Sequence, residues 1–411
     1  MSADTGPLVV VGGGLAGAKA VEAARAAGFG GEVVLVGAEP HLPYERPPLS
    51  KDYLMGKAPF EDAVVHDEGW YAAHQVDLRR GVTVTALDLE RHEVRIGAES
   101  LRYERLLLAT GAVPRRLAMA DSSGAPVAYL RSVDDSDRLR AALRPEARIV
   151  VVGGGWIGLE VAAAARNAGA QVTVVEPLEL PLLRVLGPEV ARIFAALHRS
   201  QGVDLRLATS MEGVAAAGAG AAVRLGDGST LEADLVVVGI GVVPDTALAS
   251  EAGLEVDNGI VVDEHLRTSH PDVFAAGDVA SAWHPLLRQR VRVEHWDNAV
   301  EQGTAAGRNL AGESVAYDRM PYFFTDQYDL GMEYVGHVGA QGYDAVVVRG
   351  EPSAGSDPFT AFWLREGRVL AGMQANDWDA TDAIRALVGR SVDVPSLQDT
   401  SVPLSELADG A

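Results

Sequence analysis

Residues 9–20 read VVVGGGLAGAKA, and a close variant, IVVVGGGWIGLEVAAAA, returns at 149–165. Each is a short apolar run that ends in glycine and opens into an alanine-rich stretch. Each fits G-x-G-x-x-G: Gly12, Gly14 and Gly17 first, then Gly153, Gly155 and Gly158. In that pattern the first glycine permits a tight turn. The second lets backbone approach a pyrophosphate, and the third lets helix and strand pack closely. The N–H groups that start the helix, with Ala16 and Ile157 among the contact positions, then face the phosphates. An acidic residue closes the next strand in both cases: Glu39, 22 residues after Gly17, and Glu176, 18 after Gly158. That spacing suits a carboxylate accepting from ribose hydroxyls.

One such match is weak. Two, each after a strand and before a helix, imply two dinucleotides in one chain. One stays and one visits, and the usual pair is FAD with NAD(P)H, because hydride passes between their rings. Glu176 would accept from a 2′-hydroxyl and repel a 2′-phosphate, and the next arginine is Arg184, so NADH is favoured over NADPH.

Working outward, residues 8–12, 16–27 and 33–36 read as strand, helix and strand, the start of a parallel sheet. Residues 82–89 and 94–96 alternate like exposed antiparallel strands, and 103–110 form a buried strand ended by Gly111. The pattern restarts at 149–152, 157–167 and 171–176. Asp227-Gly228 signals a hairpin between 221–225 and 231–233. Residues 235–239 read as another buried strand, and 261–262 and 273–275 as returning sheet strands. From about 321 the style changes to short strands (333–338, 345–348, 360–365, 368–373) and a helix at 381–388. The acidic tail after Pro403 reads as mobile.

Bulk composition narrows the function. The chain has 411 residues, 48% hydrophobic and 22% charged, which is globular and long enough for more than one core. A net charge of −22 argues against nucleic acid and anionic membranes, which need a basic footprint. The start, MSADTGP, lacks a basic and apolar leader, and no apolar run approaches a membrane span, so a cytoplasmic protein is expected. No G-x-S-x-G phrase and no H-x-x-x-H spacing occur, so neither a hydrolase nor a metal site is expected.

Several longer phrases carry a resemblance: YERPPLSK (44–51), LLLATGAVPR (106–115), GGGWIGLE (153–160), VGIGVVPDTALA (238–249), VFAAGDVA (273–280), EHWDNAVEQG (294–303) and PYFFTDQYDL (321–330). In this order and over almost the whole chain, they resemble the FAD-dependent, NADH-using ferredoxin reductases of bacterial P450 and dioxygenase systems. The resemblance implies an α/β, glutathione-reductase-like flavoprotein with two Rossmann-type units and an α+β C-terminal domain. The implied FAD domain spans 1–114 and 245–320, the NADH domain 115–244, and the C-terminal domain 321–403, followed by the tail at 404–411.

It also implies roles. Arg46 and Lys51 belong to a segment that runs beside the flavin, where a cation stabilises electron density arriving on the ring. Glu160, in the first helical turn after the second glycine phrase, would pair with Lys51 and tune it. These two are the expected catalytic residues. Asp278 would hold the ribityl chain. Ala109, Thr110, Gly111 and Gly241 would set backbone against cofactor. Val84 would touch the adenine end, and Arg131 and the backbone of Trp296 the flavin. Phe324 stands where many relatives carry tryptophan, and it lacks the indole N–H.

Zero cysteines exclude a redox dithiol, so electrons must leave the flavin directly. The resemblance implies a [2Fe–2S] ferredoxin as acceptor. Such partners are usually acidic, so local basic charge is needed, and Arg288, Arg290 and Arg292 would form a row on one strand face. Other outcomes of the same chemistry are a slow redox-sensing flavoprotein of the apoptosis-inducing-factor kind and an NADH oxidase. A monomer or weak dimer is expected.

Overall fold

The computed structural model describes residues 6–352 and 357–410. The chain divides into two compact units. The first takes the chain up to Arg46, Pro59–Val113 and Val242–Arg319. The second takes Pro47–Ala58, Pro114–Gly241 and the chain from Met320 onward.

In the first unit five parallel strands lie in the order Val273–Ala275, Arg105–Leu108, Leu8–Val11, Val33–Gly37, Val76–Arg80. Leu8–Val11 is buried along its whole length, as expected for a strand covered on both faces. Helix Leu15–Ala26 packs against helix Trp296–Leu310 at unusually short range. A Cβ on Gly303 would stand 2.5 Å from the Ala16 carbonyl oxygen, and one on Gly307 2.1 Å from that of Ala20. Two glycines on one helix and alanines on the other thus let the backbones touch. Val84–Asp88, Glu93–Ile96 and Glu99–Arg102 form a small antiparallel sheet.

In the second unit the parallel order is Asp204–Leu207, Gln171–Glu176, Arg148–Val152, Leu235–Val238, Val127–Ala128. A five-stranded antiparallel sheet follows in the order Tyr322–Gln327, Leu330–Gly336, Arg368–Ala375, Phe359–Arg365, Ala345–Arg349. Both sheets feed one apolar core, from Ile149, Val151 and Phe194 to Met332, Trp363 and Met373. Trp363 is fully buried, and its Nε1 donates to the Leu186 carbonyl at 3.0 Å.

The structure departs from the sequence reading in several places. Helix Leu183–Ser200 has no counterpart there. Leu182 precedes it in a left-handed conformation, and Gly187 breaks it internally at φ +72°, so its period is interrupted. Pro188 then restarts the helix where a missing N–H costs nothing. The tail is not a loose end: Leu404–Gly410 is a helix, and Leu404, Leu407 and Ala408 pack on a core with Ile384 and Leu397. Finally, the three arginines do not share a strand face. Arg288 lies outside strand Gln289–Val291 at φ +53°, which breaks the alternation. Arg292 is ion-paired with Glu294 and largely buried.

Among the described residues no helix is long and apolar enough to cross a membrane.

Two nucleotide cradles and a lysine–carboxylate cluster

The two glycine phrases are built alike. Gly12 has φ +126°, and a Cβ there would stand 2.0 Å from the Ala109 carbonyl oxygen. Gly153 has φ +108°, with its absent Cβ 2.3 Å from the Gly239 carbonyl oxygen. A Cβ on Gly17 would stand 2.1 Å from the Gly12 carbonyl oxygen, and one on Gly158 2.1 Å from that of Gly153. Gly14 and Gly155 differ: nothing lies within 4 Å of where their Cβ atoms would be. The first and third glycines therefore serve packing, and the middle one faces open space.

The helices behind them, Leu15–Ala26 and Trp156–Asn167, have no side chain bonded to the N-terminus and no acid in the first turn. Their leading N–H groups are left to an external acceptor, and the helix dipole favours an anion there. A dinucleotide pyrophosphate fits both cradles. Ile157, at the mouth of the second, is 46% exposed despite its apolar side chain.

The acids at the strand ends are both engaged. Glu39 accepts from Arg46 Nη2 at 2.8 Å and from the Tyr44 hydroxyl. Burial opposes charge on Arg46, but Tyr44, Glu39 and Asp278 outweigh it and hold the guanidinium above its ordinary range. Arg46 thus sits at the acid that follows the second strand. Glu176 accepts from Gly154 N at 2.7 Å and from Leu178 N at 2.9 Å, so the carboxylate also braces the glycine turn.

Other expected contact positions fall as follows. In the first unit Thr110 Oγ1 donates to the Asp245 carbonyl at 2.6 Å, and Gly111 has φ +74°. Asp278 lies in the tight turn Gly277–Val279, which Gln302 Oε1 holds by accepting from Gly277 N at 2.9 Å. Trp296 is the first residue of its helix, capped by His295. Val84 begins a strand of the small antiparallel sheet. In the second unit Gly241 has φ +94°, and Arg131 precedes a capping box, its N–H donating to Asp135 at 3.0 Å.

A tight polar cluster also lies in the second unit. Lys51 Nζ donates to Glu160 Oε1 at 2.7 Å across 109 residues of sequence. Glu160 is the fifth residue of its helix, hence in the second turn rather than the first, and it is 4% exposed. Ser50 Oγ donates to its Oε2 at 2.5 Å and Thr325 Oγ1 to its Oε1 at 2.6 Å. Lys51 Nζ also lies 5.4 Å from the centre of the Phe324 ring. Burial raises the neighbouring Asp326 carboxyl, with Lys51 opposing and Glu160 adding to the rise. Ser50 and Thr325 were missed from sequence, although both stand inside quoted phrases beside residues that were singled out.

One group of potential metal donors exists among the described residues: His92, His270 and Asp272, in the first unit, gather within 4.8 Å. His270 and Asp272 are two residues apart, but His92 lies far from both in sequence, so no spacing search would join the three. His92 Nε2 lies 3.8 Å from Asp272 Oδ2, as in an ordinary histidine–aspartate pair.

Residues 6–303 match the family described as pyridine nucleotide-disulphide oxidoreductase, and residues 322–408 match the reductase C-terminal family. The chain is 42% identical to the ferredoxin–NAD(+) reductase component of the anthranilate 1,2-dioxygenase system of Burkholderia cepacia, over 98% of its own length and 99% of the relative's. The chain belongs to the ferredoxin–NAD reductases of the pyridine nucleotide-disulphide oxidoreductase family. Such a reductase is an oxidoreductase that uses FAD and NAD(H). Putidaredoxin reductase CamA of Pseudomonas putida is 39% identical over 98% of this chain and 97% of its own. The crystal structure of the covalent putidaredoxin reductase–putidaredoxin complex matches with a TM-score of 0.95 at 39% identity, covering 100% of this chain and 99% of that one. Unlike the disulphide in the family's name, this reductase has no cysteine at all.

Proposed function

We propose that this reductase oxidises NADH and delivers the two electrons singly to two molecules of a [2Fe–2S] ferredoxin that feeds a P450 or a Rieske-type oxygenase. One NADH then yields NAD(+), two reduced ferredoxins and one proton. FAD, when bound, supplies the conversion from a hydride to single electrons.

The observation that carries this reading is the pair of open glycines, Gly14 and Gly155, each beneath an uncapped helix N-terminus in a chain without cysteine. The chain's residues then divide the work. The first cradle, with Glu39, Arg46, the backbone at 109–111 and Asp278, retains FAD. The second, with Ile157 and Glu176, receives NADH, and the carboxylate of Glu176 disfavours a 2′-phosphate. Lys51, fixed by Glu160, supplies positive charge that favours electron density arriving on an isoalloxazine.

For docking, the hairpin of Ala280–His284 and Gln289–Val291 supports a small redox interface. Trp283 faces Arg290 across it, Trp283 and Leu286 are exposed, and Arg288 and Arg290 add positive charge. Arg292 belongs to the interior instead. Transient electron-transfer partners need only a small patch of this kind.

The test is anaerobic mixing of the yellow holoprotein with NADH, then NADPH, followed by a [2Fe–2S] ferredoxin with cytochrome c as reporter. Fast bleaching by NADH and ferredoxin-dependent cytochrome c reduction are expected. Bleaching without onward transfer would replace this reading by a redox sensor or an oxidase.

A further inference from the structure

His198 is wholly buried on helix Leu183–Ser200, and no phrase of the sequence marked it. Its Nε2 lies 2.8 Å from Gln327 Oε1, and its Nδ1 lies 3.3 Å from the Tyr328 hydroxyl. Gln327 is also wholly buried, and its Nε2 donates to Thr325 Oγ1 at 3.2 Å. Thr325 in turn donates to Glu160, the carboxylate that holds Lys51. Every member of this chain belongs to the second unit.

The direction of each bond follows from the groups present. A carboxylate only accepts, so the Thr325 hydroxyl hydrogen points at Glu160. The Thr325 oxygen is then left to accept, which requires the N–H side of the Gln327 amide. The Gln327 carbonyl must therefore face His198, and His198 must carry its proton on Nε2. Nδ1 then accepts from Tyr328. Each donor points the same way, toward Glu160. Aligned bonds of this kind polarise one another in a low-dielectric interior.

We propose that His198, acting through Gln327 and Thr325, is a positioning residue for the Lys51–Glu160 pair. The chain locks the Glu160 carboxylate in the rotamer that receives Lys51 and so sets where the lysine charge stands during hydride transfer. Thr325 and Gln327 suit this task because alternate strand residues share one face, and strand Tyr322–Gln327 is tied into its sheet on one side. Burial keeps the imidazole neutral, so the tautomer stays fixed as required. The inference rests on the role given above to Lys51 and Glu160.

The experiment is a double-mutant cycle on the FAD-loaded protein, pairing Gln327→Leu with Glu160→Gln. Gln327→Leu keeps the buried volume and removes both bonds. Stopped-flow reduction by NADH gives the limiting hydride-transfer rate and the NADH dissociation constant separately, and thermal unfolding gives a second cycle. Gln327→Leu is expected to slow the limiting rate about tenfold with an unchanged dissociation constant, and to cost almost nothing more in the Glu160→Gln background. Thr325→Val should copy it, and Thr325→Ser should restore the rate.

An equal loss in both backgrounds, or no loss in the wild-type one, would overturn the proposal. So would a drop in melting temperature unaccompanied by any change in rate. Should Glu160→Gln itself leave the rate untouched, the role of Lys51 and Glu160 falls, and the chain as a catalytic positioning device falls with it. The thermal cycle would then show whether the two residues are still coupled structurally.

Discussion

The Cβ that Gly12 lacks would stand 2.0 Å from the carbonyl oxygen of Ala109, whereas the Cβ that Gly14 lacks would meet nothing within 4 Å. Two glycines of one motif are thus required for different reasons, and they should fail differently. Gly12→Ala adds both a backbone clash and a side chain at φ +126°, so the first unit should fold poorly and give little soluble protein. Gly14→Ala asks nothing of the fold, since its backbone is ordinary extended chain. It should yield folded protein that copurifies with far less FAD. Flavin absorbance per chain, beside circular dichroism, separates the two. Full flavin content in Gly14→Ala would mean that the pyrophosphate does not sit against that residue.

The second cradle makes the parallel prediction for the visiting nucleotide. Gly155→Ala should leave FAD content and melting temperature unchanged and raise the KM for NADH at least tenfold. Steady-state kinetics with ferricyanide as acceptor would measure it, and an unchanged KM would dissociate Gly155 from NADH.

Glu176 has two tasks, bracing Gly154 and Leu178 through their N–H groups and facing a ribose. Glu176→Gln keeps one carbonyl oxygen for the backbone and removes the negative charge. The preference for NADH over NADPH in kcat/KM should narrow by about tenfold, roughly the worth of one screened charge contact. The change should come mostly from NADPH improving. If both nucleotides weaken equally, bracing is the whole role of Glu176.

Much of the fold was legible because its signals are local. Leu8–Val11 and residues 149–152 are continuous apolar runs closed by glycine, as a short strand covered on both faces requires. The unread helix Leu183–Ser200 failed for a local reason too, since Gly187 and Pro188 interrupt its period. The site was legible only in part. Glycine motifs announce phosphate because their spacing is fixed by one turn. The support of Glu160 comes from Ser50, from Thr325, 165 residues away, and, through Gln327, from His198. No sequence window contains such a cluster, and a lone buried histidine gives no sign of what it touches. Arg288, Arg290 and Arg292 show the converse error: their spacing assumed a continuous strand, and a left-handed residue at Arg288 breaks it.

Trp363 offers a test of the C-terminal sheet's contribution to its unit. Its indole N–H partners the Leu186 carbonyl, which stands just before the break at Gly187. Trp363→Phe removes that bond and leaves a small void in a packed core. The expected cost is about 2–3 kcal/mol. It should appear as a lower melting temperature of the holoprotein, while NADH affinity at 25 °C stays the same. A cost within error of zero would show that the break at Gly187 holds its shape without the tryptophan.

His198 should also shape stability against pH. Burial lowers its pKa from 6.5 to about 4, with the Gln327 bond opposing the shift. The unfolded chain therefore takes up this proton near pH 6.5, and the folded chain only near pH 4. Between those values the unfolded state binds more protons, so acidification favours unfolding. The contribution is whole above pH 6.5 and is lost progressively as the pH falls toward 4, amounting to about 3 kcal/mol across the window. Other groups titrate over the same range, so the informative quantity is a difference. His198→Gln cannot take up a proton, and its stability should fall less steeply than that of the wild type from pH 6.5 to 4.5. Denaturant unfolding at pH 7.5, 6.5, 5.5 and 4.5 would give both curves. Parallel curves would mean that the imidazole accepts its proton without unfolding, and that the interior around Gln327 can accommodate a charge.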